Sequence, residues 1–243
     1  MGVKYASASL LFNTRNVIGL SATPYNPKER DILIKGIFNE VIVKYGTYDF
    51  QPTIKFIKYN SELGDKYGKR VVWLWRNRFN QGRSIYNSKL HESETWIKTI
   101  YNITKNEVTN KNKIIIICMT KKQLHFISDY LQINEIKSAK LYSEENDIDK
   151  INDNVIIATY KYASHAFDHA ELSRLIISVP LMGKKSLIQT IGRIVRRFEG
   201  KTNAIVYDLI DIDDKFRGIF TETIKNKINI LNNEFDDCKF IET

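Results

Sequence analysis

Apolar residues in the second half of the chain fall into short blocks that alternate with longer amphipathic stretches. Lys113-Ile114-Ile115-Ile116-Ile117-Cys118 is β-branched through its centre, which predicts a parallel strand buried on both faces. Val155–Thr159, Leu175–Val179 and Ala204–Ile210 predict further strands, and Ala139–Tyr142 a short one. Between them, helical spacing predicts helices over about 121–131, near Ile148, over Leu187–Arg197 and over 214–233. Strand alternating with helix from residue 113 onward predicts an α/β fold, a parallel sheet with helices on both faces. Upstream, Val17–Leu20 predicts a strand that runs into Ser21-Ala22-Thr23-Pro24-Tyr25-Asn26-Pro27, where two prolines end regular structure. A helix is expected over 28–38, a strand over 53–59 and a helix over 93–105. In the last of these Ser93 is the N-cap, and Trp96, Ile97, Ile100 and Ile103 share one face. Residues 60–90 show no clear periodicity.

Composition narrows the class. With 243 residues, 43% of them hydrophobic, and only 4 Pro and 11 Gly, the chain can bury a real core and is not of disordered type. The longest apolar run is the six residues Ile114–Met119, far short of a membrane span. The first residues lack the layout of a signal peptide. Together these predict a soluble, cytoplasmic protein without a membrane partner. Two cysteines, Cys118 and Cys238, argue against a disulfide scaffold or a cysteine-rich zinc site. His165 and His169 are four apart but have no third ligand in view, so no metal is expected. Net charge is +9, yet Ile, Lys and Asn make up 82 residues, a bias that an AT-rich genome produces by itself. Local clustering therefore says more than net charge.

One cluster stands out. From Lys66 to Lys89 there are seven Lys/Arg and no acidic residue, with Tyr67, Trp73, Trp75, Phe79 and Tyr86 interleaved. Cations for phosphates and flat rings for bases suit nucleic-acid contact, and Arg76, Arg78, Arg83 and Trp75 are the candidates. A basic linker whose tryptophans pack into the core has the same pattern.

The second cluster is Gln189-Thr190-Ile191-Gly192-Arg193-Ile194-Val195-Arg196. On one continuous helix Gln189, Arg193 and Arg196 form a polar stripe opposite Leu187, Ile191, Ile194 and Val195. Two guanidinium forks so aligned can clasp a phosphate, although spacing alone does not separate this from a solvated basic face.

The order of the motifs does. Ser21-Ala22-Thr23 after a strand, Thr159 ending a strand with Asp168 nine residues on, then Gln189-x-x-Gly192-Arg193-x-x-Arg196 resembles the later motifs of superfamily 2 helicases. Gly200-Lys201-Thr202 and Val206-Tyr207-Asp208-Leu209-Ile210-Asp211 add to it. Ala158-Thr159-Tyr160 and Leu187–Arg193 look most like the UvsW-type helicases of tailed phages, with those of large DNA viruses close behind. The resemblance implies a motor of two RecA-like domains with ATP and Mg²⁺ in the cleft. Arg193 and Arg196 would be arginine fingers and Gln189 a nucleotide sensor, with Asp168 and Gly192 also at the nucleotide. Thr159 would touch the DNA (or RNA) backbone, and Ser21 and Thr23 would couple hydrolysis to domain movement. It divides the chain into 1–60, the end of a first RecA-like domain; 61–110, a basic aromatic connection; and 111–243, a second RecA-like domain.

Two departures from the family pattern follow. Ala166 stands where the family usually has Gly, and Ala resists positive φ. No Gly-x-x-x-x-Gly-Lys-Ser/Thr and no Asp-Glu-x-His occurs; Gly183-Lys184-Lys185-Ser186 has no glycine-rich loop before its lysine. The expectation is the C-terminal part of a helicase, incomplete for ATP hydrolysis without an N-terminal half supplied in cis or in trans. The alternative is a non-catalytic nucleic-acid- or partner-binding module derived from one.

Overall fold

The computed structural model describes residues 50–142, 153–163, 169–181, 183–235 and 238–242. Its strands are β1 (Pro52–Tyr59), β2 (Ile114–Cys118), β3 (Ala139–Leu141), β4 (Val155–Thr159), β5 (Arg174–Ile177), β6 (Ala204–Asp211) and β7 (Lys239–Glu242). They form one sheet in the order β3-β4-β2-β5-β6-β1-β7, and every pairing is parallel. The isoleucine run does what its composition dictates: β2 lies at the centre and all five of its residues are buried, as are all those of β4 and β5. Both faces of these strands are therefore covered. The helices are α1 (Gly64–Asn77), α2 (Phe79–Lys89), α3 (Glu94–Thr109), α4 (Lys121–Ile133), the single turn α5 (Tyr160–Ala163), α6 (Lys184–Ile191) and α7 (Arg217–Asn232). The fold class is α/β and RecA-like. Among the described residues no helix is long and apolar enough to cross a membrane.

Caps hold the helices where the sequence placed them. Ser93 accepts from the Trp96 amide at 3.2 Å and starts α3. Trp96 then buries its ring completely and donates its indole N–H to the Ser178 carbonyl at 2.8 Å. Thr120 and Gln123 form a capping box at the start of α4.

Two sequence expectations are corrected. β1 was expected to end a first domain at residue 60, but it is an internal strand of this sheet. Its eight residues pair with β6, its other edge pairs with β7, and Ile54 and Phe56 enter the core. Residues 48–243 form one compact unit. The second correction is at residues 60–90, which hold two helices. Their buried stripe in α1 is Gly64, Gly68, Val71, Leu74 and Trp75; glycine takes two of its positions, so a count of apolar residues misses the helical period.

Those glycines are there for close approach. A Cβ on Gly68 would lie 2.8 Å from the Lys215 side chain. A Cβ on Gly82 of α2 would lie 2.4 Å from the Trp75 backbone nitrogen, which cannot swing aside. Gly82→Ala should therefore force α1 and α2 apart and destabilise the domain by about 1–3 kcal/mol, the usual range for overpacking. Urea denaturation checks this, and a wild-type midpoint would mean that the hairpin opens without strain.

Candidate functional site

Gln189, Gly192, Arg193 and Arg196 are close in sequence, but they do not share one helix. α6 ends at Ile191, not near Arg197 as the spacing predicts. Beyond it the backbone tightens to three-residue bonds, Arg193 N–H to the Thr190 carbonyl at 3.3 Å and Ile194 N–H to the Ile191 carbonyl at 3.0 Å. Ile194 and Val195 explain the break. Both are almost fully buried, and the Val195 carbonyl accepts from the Phe50 amide at 3.3 Å, so the chain is drawn inward instead of continuing the helix. Gln189 thus sits on α6, Arg193 on a tight turn and Arg196 on the bend after it; all three and Gly192 are half-buried. The apolar partners Leu187, Ile191, Ile194 and Val195 are buried, as their pattern predicts.

The loop behind the arginines is braced. Lys201 Nζ donates to the Arg196 carbonyl at 2.8 Å and to the Ala170 carbonyl at 3.4 Å. Gly200 turns the chain with φ +80°, a conformation that favours glycine. Phe50 precedes β1 and Ala170 precedes β5, so this loop lies at the edge where those strands begin. Thr159 is elsewhere. It is the last residue of β4, buried, and paired with Cys118 at the edge where the strands end. The arginine turn and Thr159 therefore occupy opposite edges of the sheet. The Tyr160 hydroxyl donates to Ser186 Oγ and ties the start of α6 to the Thr159 edge. Ser21, Thr23, His165, Ala166 and Asp168 lie outside the described residues.

The carboxylates in Val206–Asp211 are structural. Asp208 Oδ2 accepts from Lys227 Nζ at 2.6 Å with both side chains 2% exposed. Asp211 Oδ1 accepts from the Ser61 and Asp213 amides, each at 3.0 Å, and its Oδ2 accepts from the Tyr86 hydroxyl at 2.8 Å. Burial pushes both carboxyls above the usual range. The sequence did carry a trace of the first pair: Lys227 interrupts the stripe Ile219, Phe220, Thr223, Leu231 on α7. Tyr86 belongs to α2, so its bond to Asp211 pins the basic hairpin to the sheet. Among the described residues no cluster of His, Cys, Asp or Glu could hold a metal ion.

In that hairpin the candidates separate. Trp75 is corrected from a base-stacking residue to a core one. It is 7% exposed and packs edge-on against Phe79, Tyr86 and Phe220 at 5.4, 6.1 and 5.6 Å. Trp73, two residues earlier and so on the other side of the helix, is 57% exposed. Arg76 and Arg78 are exposed, while Arg83 is half-buried with its guanidinium 5.6 Å from the centre of the Phe79 ring. Lys66 and Lys89 are engaged by Glu92, each at 2.9 Å. Those two ammonium groups, with the Tyr67 hydroxyl, hold the Glu92 carboxyl down at about 2.

A parallel sheet of this order with helices packed on it is an α/β sheet of RecA-like type. No protein-family model matches the chain. It is similar to solved superfamily 2 helicase structures. T4 UvsW is 17% identical, with 87% of this chain and 45% of that one covered at a TM-score of 0.57. S. cerevisiae Dbp5 bound to RNA and ADP BeF3 is 12% identical, with 88% and 48% covered at 0.55. Among curated proteins, UvrABC system protein B of Metamycoplasma arthritidis is 27% identical over 160 residues, 60% of this chain and 24% of that protein. The same protein from Prochlorococcus marinus is 29% identical over 109 residues, 40% and 16% respectively. The chain spans less than half of the solved structures and about a quarter or less of the curated relatives. It has the RecA-like fold of these helicase structures, and part of it is similar in sequence to UvrABC system protein B.

Proposed function

We propose that this chain is the C-terminal part of an ATP-dependent superfamily 2 DNA helicase or translocase, supplying arginine fingers to a nucleotide held by an N-terminal RecA-like half. One observation carries it: Gln189, Arg193 and Arg196 are half-buried around a tight turn that Val195 and Lys201 brace from behind. That arrangement holds two planar forks in place without spending the helix on them. The donors fit one side of a nucleotide, since guanidinium groups match phosphate oxygens. The phosphate loop and the Mg²⁺-holding acid of the other side are not in this sequence. Bound ATP with Mg²⁺ supplies the phosphoryl group for transfer to water. Arg193 and Arg196 stabilise the charge that develops on that group, Gln189 positions them, and Gly192 lets the turn come close. Asp168 contacts the nucleotide, and Thr159, at the opposite edge, contacts the nucleic-acid backbone together with Arg76, Arg78 and Arg83. Ser21 and Thr23 link hydrolysis to domain movement.

The absent phosphate loop also supports a second reading, a non-catalytic binding module. ATP turnover of the chain alone, and fused to a RecA-like half with a phosphate loop and Asp-Glu-x-His, distinguishes the two. The expected result is a buffer-level rate alone and DNA-stimulated turnover in the fusion. Turnover by the chain alone overturns the proposal, and an inert, correctly folded fusion favours the binding module.

A further inference from the structure

The α1–α2 hairpin carries a surface groove of about 650 Å³ lined by Arg70, Trp73, Arg78, Asn80, Gln81 and Ser84, with Leu74 and Ile85 as its apolar floor. The volume is within the range of sites for ligand-sized groups. We propose that this groove is a single-strand clamp: an unpaired base of the nucleic acid stacks on Trp73 while Arg70 and Arg78 hold the flanking phosphates. This rests on the nucleic-acid reading above and adds a residue and a strand preference to it.

Three observations converge. First, an indole that is 57% exposed beside a groove is out of place on a helix that buries its other tryptophan in the core. Second, the charge is one-sided and available. Among the described residues no carboxylate pairs with Arg70, Arg76 or Arg78, whereas Lys66 and Lys89, at the ends of the hairpin, share the Glu92 carboxylate, which cancels one of their two charges. The surplus positive charge is therefore concentrated around the groove, which suits a polyanion. Third, the platform is rigid. Gly82 against the Trp75 backbone, the T-shaped aromatic contacts of Trp75 and the Tyr86–Asp211 bond fix both helices to the sheet. An exposed ring carried on a helix fixed in this way binds a base without the cost of ordering the backbone beneath it. The occupant must offer a flat face at the end of a charged backbone. In a duplex those faces are stacked inside the helix, so a single strand is favoured. Asn80, Gln81 and Ser84 line the wall with amide and hydroxyl groups that can meet the base edge.

The test uses the 243-residue chain without nucleotide, with fluorescein-labelled 20-mers of oligo-dT and of duplex DNA, and polyglutamate as competitor. The single strand is expected to bind at least tenfold tighter than the duplex and to quench tryptophan emission. Trp73→Ala should weaken single-strand binding about tenfold or more, in line with the loss of one stacked base, while Trp73→Phe retains most of it. Arg70→Ala with Arg78→Ala should flatten the dependence of log affinity on log salt by about two ions. Because Trp73 is exposed, its variants should melt like wild type, so a loss of binding is not a loss of fold. If salt-dependent binding persists unchanged in Trp73→Ala, the clamp is overturned while the broader nucleic-acid reading stands. Equal affinity for duplex, or displacement by polyglutamate at equal charge, overturns it as well, because the groove is then a general anion patch. No binding of either DNA overturns both.

Discussion

Arg193→Lys and Arg196→Lys should each lower ATP turnover by about 10²-fold or more in an assembly of this chain with a phosphate-loop-bearing RecA-like half. That is the scale of losing one transition-state donor or finger. Lysine keeps the positive charge on the turn, so the general field of the domain is unchanged. What it lacks is the planar fork that can meet two phosphate oxygens at once. The fold should not register the swap. The turn is held by Ile194 and Val195 in the core, by the Val195–Phe50 backbone bond and by Lys201, and these contacts involve backbone atoms or other side chains. Stability should therefore change by no more than about 0.5 kcal/mol, as for ordinary partly exposed substitutions. DNA affinity without nucleotide should also hold, since Thr159 and the arginine turn are at opposite edges of the sheet. Steady-state ATPase rates and melting curves measured on the same preparations check both halves of the expectation. Near-wild-type turnover in both variants would remove these residues from the chemistry.

Much of the sheet was legible because its central strands are buried on both faces, where β-branched runs have few other places to go. Ile114–Cys118 and Val155–Thr159 fall where the sequence puts them. What the sequence could not show depends on partners distant in the chain. β1 alternates like any strand, and its membership is decided by pairing with β6, some 150 residues later. α1 was hidden because glycines stand where its core residues would be expected, at contacts with Asp213 and Lys215. The polar stripe of Gln189, Arg193 and Arg196 followed from helical spacing, and the helix stops before the stripe is complete. The presentation of these residues was not legible, since the pull of two buried side chains ended α6 early. Trp73 and Trp75 show the same limit at the hairpin. Composition singled out Trp75 and counted Trp73 only among the interleaved rings, whereas packing against Phe79, Tyr86 and Phe220 puts Trp75 in the core and leaves Trp73 exposed.

The largest stability effect is expected at Lys227. Lys227→Met keeps most of the side-chain volume but removes the ammonium that faces Asp208 at 2.6 Å. Asp208 would then be a fully buried carboxylate without its counter-ion, and its Oδ1 already has no hydrogen-bond partner among the described residues. Losing one member of a buried pair typically costs about 3–5 kcal/mol, far more than the pair contributes over an apolar replacement. Chemical denaturation should show a loss of that size near neutral pH. The pH dependence gives the cause. Burial raises the folded-state pKa of Asp208 above that of the unfolded chain, and the lysine offsets part of the rise. Without the lysine the rise is larger, and the folded variant binds the proton more tightly than its unfolded form. An acid raised in this way costs stability above its folded pKa and recovers it as pH falls through that value. The deficit of Lys227→Met relative to wild type should therefore shrink as pH is lowered from 7 toward the acid range. Adding Asp208→Leu to Lys227→Met should restore most of the loss at neutral pH, because no buried charge is then left uncompensated. A single variant that matches wild type at pH 7, or a deficit that does not vary with pH, would show that Asp208 finds another partner or solvent. The pair would then not be what holds α7 against β6.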